Sequence, residues 1–214
     1  MATPPVNAAL LLIDIQLGFD HPTHWGRQRS TPSFERNVTK LLDAFRSTPG
    51  AHVVHVYHKS PFSNSPLHPS KPGVDFMPYA TPQGSEPVFS KTTNSPFIET
   101  DLEALLRSYN LDLLVICGLM TAHCVCTTVR AASNLKIIDH NYGIPSGLLE
   151  ENRSQKGQIF LVSDATATFE VSYGGNLYDS ETVHAVHLST MEDEFCDVHT
   201  TDEVIARLKA AENK

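Results

Sequence analysis

Long apolar runs, a surplus of basic residues and a cysteine framework are all missing from this sequence. No apolar stretch in its 214 residues approaches the ~20 that a bilayer-spanning helix needs. The short apolar run in "MATPPVNAALLLIDIQ" has no basic region ahead of it and ends at Asp14, so it reads as a first strand and not as an export signal. Sixteen Lys and Arg face 24 Asp and Glu, a formal charge of −8, with no basic run or Arg-rich helix. That balance argues against nucleic acid or an anionic membrane as partner and favours a small molecule. Four cysteines, at 117, 124, 126 and 196, are too few to staple a chain of this size. Reduced thiols and a cytoplasmic location are expected, and the glycosylation sequons at Asn37 and Asn152 are discounted.

What is present is alternation. Apolar, β-branched runs at "AALLLID" (8–14), "HVVHVYH" (52–58), "LDLLVICG" (111–118) and "QIFLVSDA" (158–165), with weaker ones at "PVFSK" and "FCDVHTT", read as buried strands. Helical patterns lie between them: "TPSFERNVTKLLDAFRS" with Thr31 as cap, "TDLEALLRSYN" with a Thr100 to Glu103 capping box, "TAHCVCTTVRAASNL", "SETVHAVHLSTMEDEF" and "TDEVIARLKAAENK". The expectation is one α/β domain over 1–214, a doubly wound, mostly parallel sheet with helices on both faces. Ligands of such sheets bind beyond the carboxyl ends of the strands. The Pro- and Ser-rich segment 59–85 is a functional loop or an irregular wrap.

Three chemically active residue types fall at those strand ends. Asp14 closes the first strand, Lys91 closes "PVFSK", and Cys124 follows the "LDLLVICG" run where "TAHCV" opens a helix. A helix N-terminus and a nearby ammonium lower a thiol's pKa, a carboxylate can shuttle its proton, and backbone N–H groups at a turn can hold an oxyanion. Taken singly, each has an ordinary reading as a cap, a solvated lysine or inert filling.

The segments "LLIDIQLGF", "SKTTNSPF", "CGLMTAHCVCTTVRAASNL" and "LVSDATATF" resemble the isochorismatase-like cysteine hydrolases, which include nicotinamidases, N-carbamoylsarcosine amidases and isochorismatases. The resemblance implies a six-stranded, three-layer fold and a triad of Cys124 as nucleophile, Asp14 as proton shuttle and Lys91 as the cation that holds them in register. It also implies a cis peptide before Met120, which would aim the N–H groups of Met120 and Cys124 at an oxyanion. Relatives commonly form homo-oligomers, so one is expected here. The nicotinamidase branch holds a metal through an Asp-x-His pair and another His; this chain offers His55, His58 and His68 without that Asp, so no metal and no other cofactor is expected. The close packing of His123, Cys124 and Cys126 does not fit zinc spacing.

The thiol favours cleavage of a small amide or carbamoyl C–N bond over the isochorismatase-type vinyl ether reaction. A non-catalytic binding protein on the same fold, or a redox protein using Cys124 with Cys126, are the readings of another class. Gln16, Phe19 and Trp25 are candidates for the substrate pocket, and Arg27, Arg29 or Lys59 for pairing with a substrate carboxylate. Residues 136–155 look inserted relative to the family, at the edge opposite the site. They read as a partner-binding loop, a subunit contact or retained noncoding sequence.

Overall fold

The structure is a computed structural model and describes residues 7–139 and 157–212. A parallel sheet of six strands forms its centre, in the order β3-β2-β1-β4-β5-β8. These strands are β1 (Ala8–Ile13), β2 (His52–His58), β3 (Val88–Lys91), β4 (Leu113–Leu119), β5 (Gln158–Ala167) and β8 (Asp197–His199). The helices are α1 (Phe34–Ser47), α2 (Leu102–Ser108), α3 (Cys126–Asn134), α4 (Ser180–Ser189) and α5 (Thr201–Glu212). The three-layer architecture is thus the one the alternation predicts. Among the described residues no helix is long and apolar enough to cross a membrane.

β1 is buried along its whole length because both sheet faces are covered. Ala8, Leu10 and Leu12 join Phe34, Leu41, Phe45, Val204 and Leu208 in the core under α1 and α5. Ala9, Leu11 and Ile13 join Leu102, Leu106, Val125 and Val129 under α2 and α3. The strand's period of two explains this partition, and α1 supplies the matching stripe at 34, 38, 41, 42 and 45. Each fully buried Leu or Phe on these faces contributes roughly 1.5–3 kcal/mol.

Local signals were overridden where tertiary contacts compete. Thr31 does not cap α1: its φ is 59°, its hydroxyl donates to the Thr166 carbonyl at 2.9 Å, and its N–H goes to Glu181. The capping box of α2 is half closed, since Thr100 Oγ1 accepts from Leu102 N while Glu103 pairs with Arg107. An antiparallel hairpin, β6 (Val171–Tyr173) and β7 (Asn176–Tyr178), was not anticipated. Gly174 and Gly175, at φ 60° and 80°, give it the two left-handed positions that a tight hairpin turn requires.

Of the expected insertion at 136–155, residues 136–139 belong to the fold, and those from 140 on lie outside the described residues. Ile137 and Ile138 are buried in the α3-side core, and Gly157 N donates to Ile138 O at 2.9 Å, bringing the two ends of the segment together. That junction sits at the amino end of β5, where Gln158 pairs with Leu113.

The strand order reverses between β1 and β4, so the crevice at their carboxyl ends is the switch point of the sheet. Gly118 makes the close approach there possible. It pairs with Ile13, has φ 127°, and a Cβ on it would lie 2.1 Å from the Ile13 carbonyl oxygen. Gly118→Ala is expected to destabilise the protein by about 3 kcal/mol or more, read as a lowered urea midpoint. An unchanged midpoint would contradict this backbone contact.

Candidate active site

Asp14 leaves β1 in a left-handed conformation, φ 54°, which is uncommon for a residue with a side chain. Its N–H bonds to Val56 O and its carbonyl accepts from Gln16 N, so the turn is held on both sides. The carboxyl group is wholly buried. Lys91 ends β3, and β2 lies between that strand and β1, so its four-carbon stem is what brings the ammonium across the strand ends. Nζ donates to Asp14 Oδ2 at 2.6 Å and to Cys124 Sγ at 3.1 Å.

Cys124 stands in a π-type turn, Thr121–Val125, that leads into α3. The Met120 carbonyl takes the N–H groups of His123 and Val125 in place of its α-helical partner, that of Cys124. Single π turns of this kind are frequent at functional sites. The Leu119–Met120 peptide is cis, as the resemblance implies. Thr121, fully buried, hydrogen-bonds His184 Nδ1 at 2.7 Å, and His184 Nε2 reaches Ser163 O at 3.0 Å. Since a carbonyl only accepts, Nε2 carries the proton and Nδ1 accepts from the Thr121 hydroxyl.

Two further residues complete the cluster: His58, considered from the sequence only as a metal ligand, and Asn94, not singled out there. His58 Nδ1 lies 3.5 Å from Lys91 Nζ, and its ring also hydrogen-bonds the Thr93 backbone. Asn94, exposed on the rim, places Oδ1 3.6 Å from Cys124 Sγ. The position of Asn94 three residues beyond Lys91 on the same strand exit was the available signal.

The electrostatics differ from the sequence expectation at the thiol. Burial raises the Cys124 pKa, the Asp14 carboxylate raises it further, and Lys91 only partly opposes them. The lowering expected from the lysine is present, but burial first and the Asp14 carboxylate second outweigh it. For Lys91 burial disfavours the charge, yet Asp14 and then the sulfur outweigh it and raise its pKa. Burial, followed by the Lys91 charge, depresses His58, which leaves a neutral ring able to accept a hydrogen bond from the ammonium.

The remaining candidates stand elsewhere. Gln16 is buried with its amide fully engaged: Oε1 accepts from His58 N, and Nε2 donates to His58 O and Val74 O. It ties the 59–85 segment to the ends of β1 and β2, an anchoring role that leaves no polar atom for a substrate. Phe19 is buried and stacks on Trp25 at 4.7 Å, Trp25 Nε1 donates to Gly18 O, and both pack in the α1-side core. Arg29 lies 3.7 Å from Asp20 and over the Phe34 ring, and Lys59 lies over Tyr57. Cys126 Sγ accepts from Arg130 Nε at 3.4 Å.

The three histidines considered for a metal do not converge. His55 pairs with Glu86 at 2.8 Å, His68 with Ser70, and His58 with Lys91. Among the described residues no group of three or more His, Cys, Asp or Glu side chains is arranged to hold a metal ion.

Residues 8–203 match the Isochorismatase domain family. The chain belongs to the isochorismatase family of hydrolases. It is 34% identical over 198 residues to the isochorismatase family protein YrdC of Bacillus subtilis, covering 92% of this chain and 94% of that one. The crystal structure of an isochorismatase family hydrolase from Chromobacterium violaceum superposes with a TM-score of 0.80 at 34% identity, over 95% of this chain and 94% of that one. A shorter match, 32% identical over 100 residues, covers 47% of this chain and 37% of the ureidoacrylate amidohydrolase RutB of Pantoea ananatis.

If the Asp14 carboxylate helps keep the thiol protonated, Asp14→Asn removes a contribution that raises the Cys124 pKa and leaves the one from Lys91 that lowers it. Alkylation of Cys124 by iodoacetamide should then reach its half-maximal rate at a lower pH in the variant. A midpoint that stays in place or moves up would contradict the electrostatic arrangement.

Proposed function

We propose that the chain is a cysteine-dependent hydrolase of small-molecule amide or carbamoyl C–N bonds. The observation that carries this reading is the single ammonium of Lys91 bridging the Asp14 carboxylate at 2.6 Å and the Cys124 sulfur at 3.1 Å. RutB, similar over part of the chain, is an amidohydrolase by name and supports the same bond type.

The chemistry follows from the charge balance. Moving the thiol proton to Asp14 turns thiol, carboxylate and ammonium into thiolate, carboxylic acid and ammonium, so the net charge of the buried cluster does not change. Lys91 stays protonated throughout and passes its support from carboxylate to sulfur. The thiolate attacks the carbonyl carbon, and the N–H groups of Met120 and Cys124 take the developing oxyanion. Collapse breaks the C–N bond while the departing nitrogen takes the proton from Asp14, leaving a thioester on Cys124. Asp14, again a carboxylate, accepts a proton from water as it attacks the thioester. Release of the acid returns the thiol.

A panel of small amides, ureas and carbamoyl compounds, with ammonia release and intact mass as readouts, tests this directly. Turnover should fall by about 10³ or more in Cys124→Ala, together with loss of an acyl adduct on the native chain. Turnover that survives the substitution would refute Cys124 as nucleophile. In Asp14→Asn, loss of the proton shuttle should slow turnover by about 10²–10⁴, and near-native turnover there would remove Asp14 from the mechanism.

A further inference from the structure

The hydrogen-bond inventory around Cys124 leaves one acceptor whose partner must change during the reaction. An ammonium has three donors, and those of Lys91 face Asp14 Oδ2, Cys124 Sγ and His58 Nδ1. The thiol therefore receives a hydrogen bond from Lys91 and has its own S–H to direct. That proton faces Asn94 Oδ1 at 3.6 Å, with the Asp14 carboxylate near enough to compete for it. Asp14 Oδ1 meanwhile is buried without a hydrogen-bond partner, a costly arrangement unless a donor arrives.

An S–H serves one acceptor at a time. When it turns from Asn94 to Asp14 for proton transfer, the unpartnered carboxylate oxygen gains its donor and Asn94 Oδ1 loses one. Asn94 sits on the solvent side of the thiol, where a substrate must enter, whereas Asp14 and Lys91 lie beneath. Its segment is braced: Thr93 Oγ1 donates to Ser95 O at 2.9 Å, Ser95 is buried, and the His58 ring bonds the Thr93 backbone.

We propose, building on the amide-hydrolase reading above, that Asn94 Oδ1 accepts the N–H of the scissile amide in exchange for the thiol proton and thereby selects amides over esters. Primary and secondary amides, ureas and carbamoyl groups all bear a donor beside the reacting carbon. Esters, thioesters and vinyl ethers bear none at that position. Holding the N–H at Asn94 turns the nitrogen's other side toward Asp14, the group that protonates it as the C–N bond breaks.

Two alkylating reagents isolate this recognition from turnover: iodoacetamide and methyl iodoacetate, which differ in an amide against an ester group. Each reacts by forming a bond from the Cys124 sulfur to the methylene carbon as iodide leaves, with the thiol proton passing to Asp14. Rates at the Cys124 peptide, followed by mass and divided by each reagent's rate with a small free thiol, should favour iodoacetamide by about threefold to tenfold, the ratio that one net hydrogen bond confers. Asn94→Ala should bring that ratio close to unity, whereas Asn94→Asp, which keeps an acceptor oxygen, should preserve it even if both rates fall. A native chain without the preference, or a preference that persists in Asn94→Ala, would overturn the proposal. A preference that vanishes in Asn94→Ala, in a protein with no Cys124-dependent hydrolysis, would sustain the recognition and defeat the hydrolase reading alone.

Discussion

The buried ammonium of Lys91 is the interaction on which the rest of the site depends. Charges taken out of water are costly unless they are paired and hydrogen-bonded. Lys91 is 2% exposed and Asp14 wholly buried, so removing either partner would strand the other. The sheet is arranged to make this pairing. β1 ends in a left-handed turn that aims the carboxyl, β3 ends with a residue long enough to cross β2, and β4 runs into a π turn that presents the sulfur. Gly118, with no Cβ, lets β4 approach the Ile13 backbone just before Asp14.

The same pairing bears on how the thiol would be activated in the proposed mechanism. A lysine beside a cysteine suggests a standing thiolate, as in thiols whose pKa is lowered by a cation. Here the ammonium is divided between sulfur and carboxylate, and the carboxylate's charge works against the thiolate. In the mechanism proposed above, activation is a proton transfer within the cluster, and a neutral His58 stands as a third partner of the Lys91 ammonium. The arrangement suits a nucleophile that becomes reactive only when its carbonyl partner is in place.

Much of this was legible in the sequence because it rests on local pattern. The apolar runs gave the strands, and the chemistry of Asp14, Lys91 and Cys124 at their ends, together with the family resemblance, picked out the cluster. Asn94 and His58 were not legible as neighbours of the thiol and the ammonium, because their approach depends on where two rim loops fold back. Gln16 misled for the opposite reason: it lies close to Asp14 in sequence, but its polar atoms are taken by the 59–85 segment. Thr31 carries a capping signal that Thr166 and Glu181 override, and the Gly174–Gly175 pair is the sequence signal for the hairpin.

The central claim is that the resting sulfur is a thiol and that its proton moves to Asp14 only on reaction. Thiolate absorbance in the ultraviolet, measured against pH for the native protein and for Cys124→Ala, tests it most directly. The account predicts that the difference between the two shows no thiolate near neutral pH, with one emerging only under alkaline conditions. A thiolate already present at neutral pH would mean a standing sulfur–ammonium pair and would contradict the proton-transfer mechanism.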